Sequence, residues 1–218
     1  FSHKILRNFL MKLNKFFKNL NKNFINTNFN GFEFDSNKIK KNNIFFAIKG
    51  SKFDGNKFIN NAIKNGANVI VSNNFKTGKY KNVFYINVLD PRLSLSNFAT
   101  KYYSLKPNNI VGVTGTNGKS SIADFYYQIL SLNNIKVASI GTLGVNSNKV
   151  KVKLDNTTSD SITINKILLK LKHKKIENVI LEASSHGLIQ KRLHGIKFNT
   201  SIFTNLSRDH LDYHKNYK

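Results

Sequence analysis

Ile110-Val111-Gly112-Val113-Thr114-Gly115-Thr116-Asn117-Gly118-Lys119-Ser120-Ser121 decides the reading of this chain. An apolar strand, Ile110–Val113, runs into a glycine-rich loop, and Ser120 opens a helix reaching Leu132. Glycines let backbone N–H groups turn inward around phosphate oxygens, and a helix N-terminus adds partial positive charge. Lys119 then reaches the β- and γ-phosphates, and the Ser120 hydroxyl binds Mg2+. The strict form of the motif has glycine where this chain has Val113, so the loop is a variant, Thr-Gly-Thr-Asn-Gly-Lys-Ser. Strand, Gly-Lys-Ser and helix in that order set it apart from an ordinary glycine turn. A nucleoside triphosphate site follows, with Gly115, Thr116, Asn117, Gly118, Lys119, Ser120 and Ser121 as its candidate lining.

Around this loop, strands alternate with helices, which argues an α/β fold. Downstream, the pattern predicts strand 137–140, a helix over about 162–171, strand 179–181 and strand 201–203. Upstream, Ile44-Phe45-Phe46-Ala47-Ile48 reads as a strand ended by Lys49-Gly50. Helical spacing from Phe58 to Asn65 closes at Gly66, a C-cap signal. Strands 69–71 and 83–86 follow, then a helix from about Pro91 to Tyr103 with proline in its first turn. Lys106-Pro107-Asn108-Asn109 breaks both periods and is the linker candidate. The expected organisation is therefore a small α/β domain over 1–107 and a phosphate-loop domain, mostly parallel, over 108–218. Residues 1–30 are low in complexity. Leu6, Phe9, Leu10, Leu13, Phe16, Phe17 and Leu20 recur at helical spacing there, predicting an amphipathic helix docked on the domain.

Two further runs carry chemistry. Asn178-Val179-Ile180-Leu181-Glu182 is an apolar strand ending in a carboxylate, the place where phosphate-loop proteins present an acid to Mg2+. Glu182 is accordingly a candidate metal ligand. Ser185 beside His186 suggests a nucleophile, but no acid is placed to complete a triad. Asp209-His210-Leu211-Asp212-Tyr213-His214 could by spacing alone be a hydrolytic metal cluster or solvated loop residues.

The chain carries a formal charge of +24, which raises nucleic-acid binding as an alternative. Its arginines are only Arg7, Arg92, Arg192 and Arg208, against 31 lysines, and there are 34 asparagines. That is the signature of AT-rich codon usage; the lysines are scattered, and phosphate readers favour the arginine fork. Nucleic acid is therefore not the expected partner, although a basic surface steers anionic substrates. No apolar run approaches the roughly 20 residues of a bilayer span, so no membrane partner is expected. Zero cysteines fit a reducing, cytoplasmic setting.

The variant loop resembles that of the Mur ligase family and of folylpolyglutamate synthase. Glu182-Ala183-Ser184-Ser185-His186-Gly187-Leu188, continued by Gln190 and Arg192, and Thr204-Asn205-Leu206-Ser207-Arg208-Asp209-His210-Leu211-Asp212-Tyr213-His214 resemble the signatures of MurE-type members. Asp155-Asn156-Thr157-Thr158-Ser159-Asp160 is similar to the family's Asn-Thr-Thr-Pro-Asp loop, with Ser159 in place of proline. Asp35-Ser36-Asn37 stands where the family has Asp-Ser-Arg, and Gly50-Ser51-Lys52-Phe53-Asp54-Gly55 and Asp90-Pro91-Arg92 keep its register. The likeness covers about residues 30–218.

This resemblance implies an ATP-dependent ligase of peptidoglycan precursor synthesis. ATP phosphorylates a carboxylate of UDP-N-acetylmuramoyl-L-alanyl-D-glutamate, and a diamino acid attacks the acyl phosphate. It further implies that Lys119, Glu182 and His210 are catalytic, that Ser120, Glu182 and His210 hold Mg2+, and that the protein is a monomer. Ser36, Gly50, Ser51, Lys52 and Phe53 would cradle the uridine nucleotide. Asn156, Thr157, Thr158, Ser184, Gln190 and Arg192 would bind the muramyl-dipeptide. The family's carbamylated lysine and acceptor-binding domain would lie past Lys218, so this stretch alone is expected not to turn over. A MurF-type ligase and a non-ligase phosphate-loop NTPase are the competing readings.

Overall fold

The computed structural model describes residues 11–17, 20, 26–50 and 53–207. Two compact units divide at Phe98/Ala99, inside a helix. Each is built on its own five-stranded sheet.

In the first unit, β1 (Met11–Lys12) pairs antiparallel with β2 (Asn28–Phe29). The main sheet comprises β3 (Gly31–Glu33), β4 (Asn43–Phe46), β5 (Ala67–Ser72), β6 (Gly78–Tyr80) and β7 (Val83–Asn87), in the order β3-β4-β5-β7-β6. Only β6 runs antiparallel. Every residue of β4 is buried, as expected of a strand covered on both faces. One face packs Phe45, Ala47 and Ile70 against Ile59 and Ala62 of α1 (Ile59–Lys64). Gly66, at φ +107°, ends that helix, and a Cβ there would crowd the Lys41 backbone. In an aromatic cluster, the ring centroid of Phe98 of α2 (Pro91–Tyr102) lies 4.2 Å from that of Phe16, 4.7 Å from Phe32 and 5.5 Å from both Phe29 and Phe46.

The helix expected along the lead-in is not what forms over its described part. Met11–Lys12 is extended, and Leu13–Lys15 is a single 3₁₀ turn with Leu13 fully buried. Pairing with Asn28–Phe29 and stacking of Phe16 on Phe98 outweigh a helical period of leucines and phenylalanines, whose intervening asparagines are weak helix formers. Leu6, Phe9 and Leu10 lie outside the described residues.

The second unit holds β8 (Asn109–Thr114), α3 (Lys119–Leu132), β9 (Val137–Gly141), β10 (Gly144–Ser147), α4 (Ser161–His173), β11 (Asn178–Glu182), α5 (Ser185–Ile189) and β12 (Thr200–Phe203). The order is β10-β9-β11-β8-β12, parallel except for β10. One face buries Ile164, Leu168 and Leu171 of α4 against Ile140, Val179 and Leu181. The other packs Ala123 of α3 on Val111, Val113 and Ile180. Asp160 caps α4 by accepting the Thr163 N–H at 3.0 Å.

This order sets the site. After β8 the chain crosses beyond β11 to β9, and after β11 it crosses beyond β8 to β12. The crossovers leave in opposite directions, opening a crevice at the carboxyl ends of β8 and β11 where α/β sheets take ligands.

Candidate active site

The loop leaving β8 meets α3 at Gly118, whose φ of +84° is the left-handed conformation that glycine adopts freely. Gly115, at φ +133°, is required twice over, because a Cβ there would collide with Thr204 Oγ1 and lie 2.9 Å from the Asn205 carbonyl. Inside the loop, Lys119 Nζ donates to the carbonyls of Gly115 (2.6 Å) and Thr116 (2.7 Å).

On the sheet side, Ser120 Oγ donates to Glu182 Oε2 at 2.9 Å. Glu182 ends β11 beside β8 and is 2% exposed. Thr142, first residue of the two-residue turn between Gly141 and Gly144, donates its N–H to Oε1 (3.0 Å) and its hydroxyl to Oε2 (3.1 Å). A Cβ on Gly141 would collide with that carboxylate, whose Cγ would lie 2.6 Å away.

The far side of the loop is braced by the segment after β12. Asn205 accepts the Thr116 N–H on its carbonyl (2.9 Å) and the Asn117 N–H on Oδ1 (3.0 Å). Its Nδ2 donates to Asn117 O at 3.2 Å, where Thr204 Oγ1 also donates at 2.6 Å. The Ser207 N–H reaches Thr116 Oγ1 at 2.9 Å. The amides of Thr116 and Asn117 are therefore committed to Asn205.

A second cluster adjoins Glu182. Thr158 is buried; its hydroxyl donates to Glu182 O (2.8 Å) and accepts the Ser184 N–H (2.9 Å). Thr157 Oγ1 is 3.0 Å from Thr142 Oγ1. Arg192 donates through Nη1 to Thr158 O and through Nε (3.1 Å) and Nη2 (2.8 Å) to Gln190 Oε1. Ser184 Oγ caps α5 by accepting the Gly187 N–H at 3.2 Å. Ser185 and His186 lie within that helix, not on an extended chain, because the cap turns the backbone immediately after β11. Thr157, Thr158, Ser184, Gln190 and Arg192 thus gather around the phosphate loop's acid, with Asn156 exposed at the rim.

In the first unit, Ser36 is buried, accepting Asn61 Nδ2 on Oγ (3.0 Å) and Asn65 Nδ2 on its carbonyl (2.9 Å). Asn37 Oδ1 accepts the same Asn61 amide at 3.3 Å. The Gly50 N–H closes on Phe53 O at 2.7 Å, and the Phe53 ring stands 71% exposed. Next to Phe53, the Asn56 backbone and side-chain amides hold Asp54 below the usual carboxylate range. Ser51, Lys52 and His210, with Asp209, Asp212 and His214, lie outside the described residues.

Among the described residues no three His, Cys, Asp or Glu side chains cluster as a metal cage. A buried carboxylate paired with a serine hydroxyl is instead the hard-oxygen set that suits Mg2+ shared with phosphates. Gly141, Thr142, Thr204, Asn205 and Ser207 were given no role from the sequence. The usable signal was the placement of ligands at strand carboxyl ends, where β9 and β12 terminate. No described helix is long and apolar enough to cross a membrane.

A phosphate-loop nucleotide-binding protein is the class that this fold and site define. Residues 113–218 match the Mur ligase middle domain, and residues 28–103 match the Mur ligase family catalytic domain. The UDP-N-acetylmuramoyl-L-alanyl-D-glutamate–2,6-diaminopimelate ligase of Rickettsia montanensis is 42% identical over 188 residues, covering 84% of this chain and 39% of that protein. The Phocaeicola vulgatus ligase of the same name is 38% identical over 211 residues, covering 94% and 44%. A solved structure of a ligase of that name superposes with a TM-score of 0.76 at 28% identity, over 93% of this chain and 42% of that one. The MurF ligase of Thermotoga maritima in complex with ADP shares the fold, with a TM-score of 0.56 at 22% identity over 85% and 39%. The chain belongs to the Mur ligase family. It spans about two fifths of the length of the curated relatives it matches.

Proposed function

We propose that this chain supplies the donor-substrate and nucleotide side of an ATP-dependent ligase of peptidoglycan precursor synthesis. The ligase joins a diamino acid to UDP-N-acetylmuramoyl-L-alanyl-D-glutamate in the cytoplasm. The observation that carries this is the junction at Glu182: its carboxylate meets the phosphate-loop serine, while its own carbonyl holds Thr158 of the second cluster. Nucleotide chemistry and a polar acyl-substrate loop thus share one strand end. The relatives named for this reaction support the choice of substrate.

In this reading residues 1–107 bind the uridine nucleotide, through Ser36, Gly50, Ser51, Lys52 and Phe53. Residues 108–218 bind ATP along Gly115–Ser121. Lys119 stabilises charge developing on the transferred γ-phosphoryl group. Ser120, Glu182 and His210 would hold Mg2+, which supplies charge neutralisation on the β- and γ-phosphates. Arg192, its guanidinium oriented by Gln190, and Thr158, Thr157, Asn156 and Ser184 orient the D-glutamyl carboxylate for in-line attack on that phosphorus. The carboxylate oxygen forms the new P–O bond as ADP leaves. The amine of the diamino acid then displaces phosphate from the acyl carbon and loses a proton.

Calorimetric titration of the chain with UDP-N-acetylmuramoyl-L-alanyl-D-glutamate and, separately, Mg·ATP tests the reading. Both bind, and Lys119→Ala loses only the nucleotide. ATP hydrolysis indifferent to the muramyl nucleotide would point to a plain NTPase. Tight DNA binding with a steep salt slope, unaffected by Lys119→Ala, would point to a nucleic-acid module.

A further inference from the structure

The residue that fixes the Glu182 carboxylate is Thr142. Among the described residues, two of the three donors on that carboxylate come from it: the backbone N–H on Oε1 at 3.0 Å and the hydroxyl on Oε2 at 3.1 Å. Holding both oxygens from one residue stops rotation about the last side-chain bond and leaves Oε2 facing Ser120 Oγ at 2.9 Å. An ionised carboxylate only accepts, so the single hydroxyl hydrogen of Thr142 goes to Glu182. In the 3.0 Å pair with Thr157, the donor is then Thr157. The hydroxyls run in one direction, Thr157 to Thr142 to Glu182, and Thr157 sets the Thr142 rotamer. Thr142 occupies an exposed hairpin turn, whereas the carboxylate that it holds is 2% exposed.

We propose that Thr142 is a positioning residue for the divalent cation: its hydroxyl and N–H aim the Glu182 carboxylate at the metal position beside Ser120. Groups that hydrogen-bond a ligating carboxylate typically set metal affinity by 10- to 100-fold. The inference rests on the nucleotide–metal reading of this site. Because the side chain lies at the surface, its substitution leaves the hydrophobic core intact.

The test uses Mn2+ as the probe, with free Mn2+ followed by electron paramagnetic resonance in the presence of ADP. Metal-free ADP binding is measured in parallel by calorimetry. Thr142→Val keeps the N–H and the shape but removes the hydroxyl; it is expected to weaken Mn2+ binding about tenfold or more. Thr142→Ser is expected to return it to within about threefold of the parent, while metal-free ADP affinity stays the same in all three. Should the valine variant fold poorly by circular dichroism, Thr142→Ala carries the same expectation. Unchanged Mn2+ affinity in the valine variant, or a serine variant as impaired as valine, overturns the proposal. A parent chain that binds no Mn2+ with ADP overturns the nucleotide–metal reading itself, and the proposal with it.

Discussion

Gly141→Ala is the substitution with the largest consequence for its size. A methyl group there would collide with the Glu182 carboxylate, whose Cγ would lie 2.6 Å away. Because the contact extends down to Cγ, swinging the carboxylate tip cannot relieve it, and the side chain must leave its rotamer. Leaving breaks the bonds from Ser120 Oγ, Thr142 N and Thr142 Oγ1. Overpacking of a well-filled site costs about 1–3 kcal/mol, and hydrogen bonds to a charged group contribute about 1.5–3 kcal/mol each. Strand shifts and water recover part of this, so a net loss of about 2–4 kcal/mol is expected. At about 2–4 °C per kcal/mol for a chain of this size, the melting temperature falls on the order of 10 °C. Scanning calorimetry reads it, with Gly78→Ala as control, because a Cβ there meets nothing nearer than Tyr80 Cε2 at 3.8 Å. The cause is isolated by a double-mutant cycle: with Glu182→Ala already in place, adding Gly141→Ala costs little. A melting temperature within about 2 °C of the parent, or full additivity with Glu182→Ala, would refute the reasoning.

Asn205→Ala removes both side-chain bonds to Asn117; a loss of about 1–2 kcal/mol by urea unfolding and about tenfold weaker ADP binding are expected. Arg192→Lys loses the planar fork on Gln190 and Thr158, so muramyl-nucleotide affinity should drop about tenfold by calorimetry while ADP affinity holds. Asp160→Ala uncaps α4, costing about 1 kcal/mol in the same urea assay. The Glu177 carboxylate is held below its usual 4.5, first by the Lys172 ammonium and also by the Asn108 N–H. A lowered folded-state pKa stabilises above the ordinary value and is lost as pH falls through the folded one. The urea midpoint should therefore drop between about pH 5 and pH 3, and drop less in Glu177→Gln.

Short-range patterns were enough for much of this molecule. Ile110–Ser121 had to be strand, loop and helix because apolar run, glycines and helix start follow one another within a dozen residues. Glu182 could be singled out because it closes an apolar strand, and β11 does lie against β8. The lead-in misled for the complementary reason. Its 3.6-residue period is a local quantity, whereas a strand partner at Asn28–Phe29 and the Phe98 ring arrive from elsewhere in the chain.

The amino-acid order by itself determined that a phosphate loop and a terminal strand acid exist, since both are written in consecutive residues. Tertiary structure alone decided what surrounds them. The order β9-β11-β8-β12 brings Gly141 and Thr142 to one side of Glu182 and Thr204 to Ser207 to the other side of the loop. Strand order is set by crossovers and by packing of whole faces, which no single stretch records. A plain glycine at the end of β9 thereby became the floor on which a buried carboxylate rests.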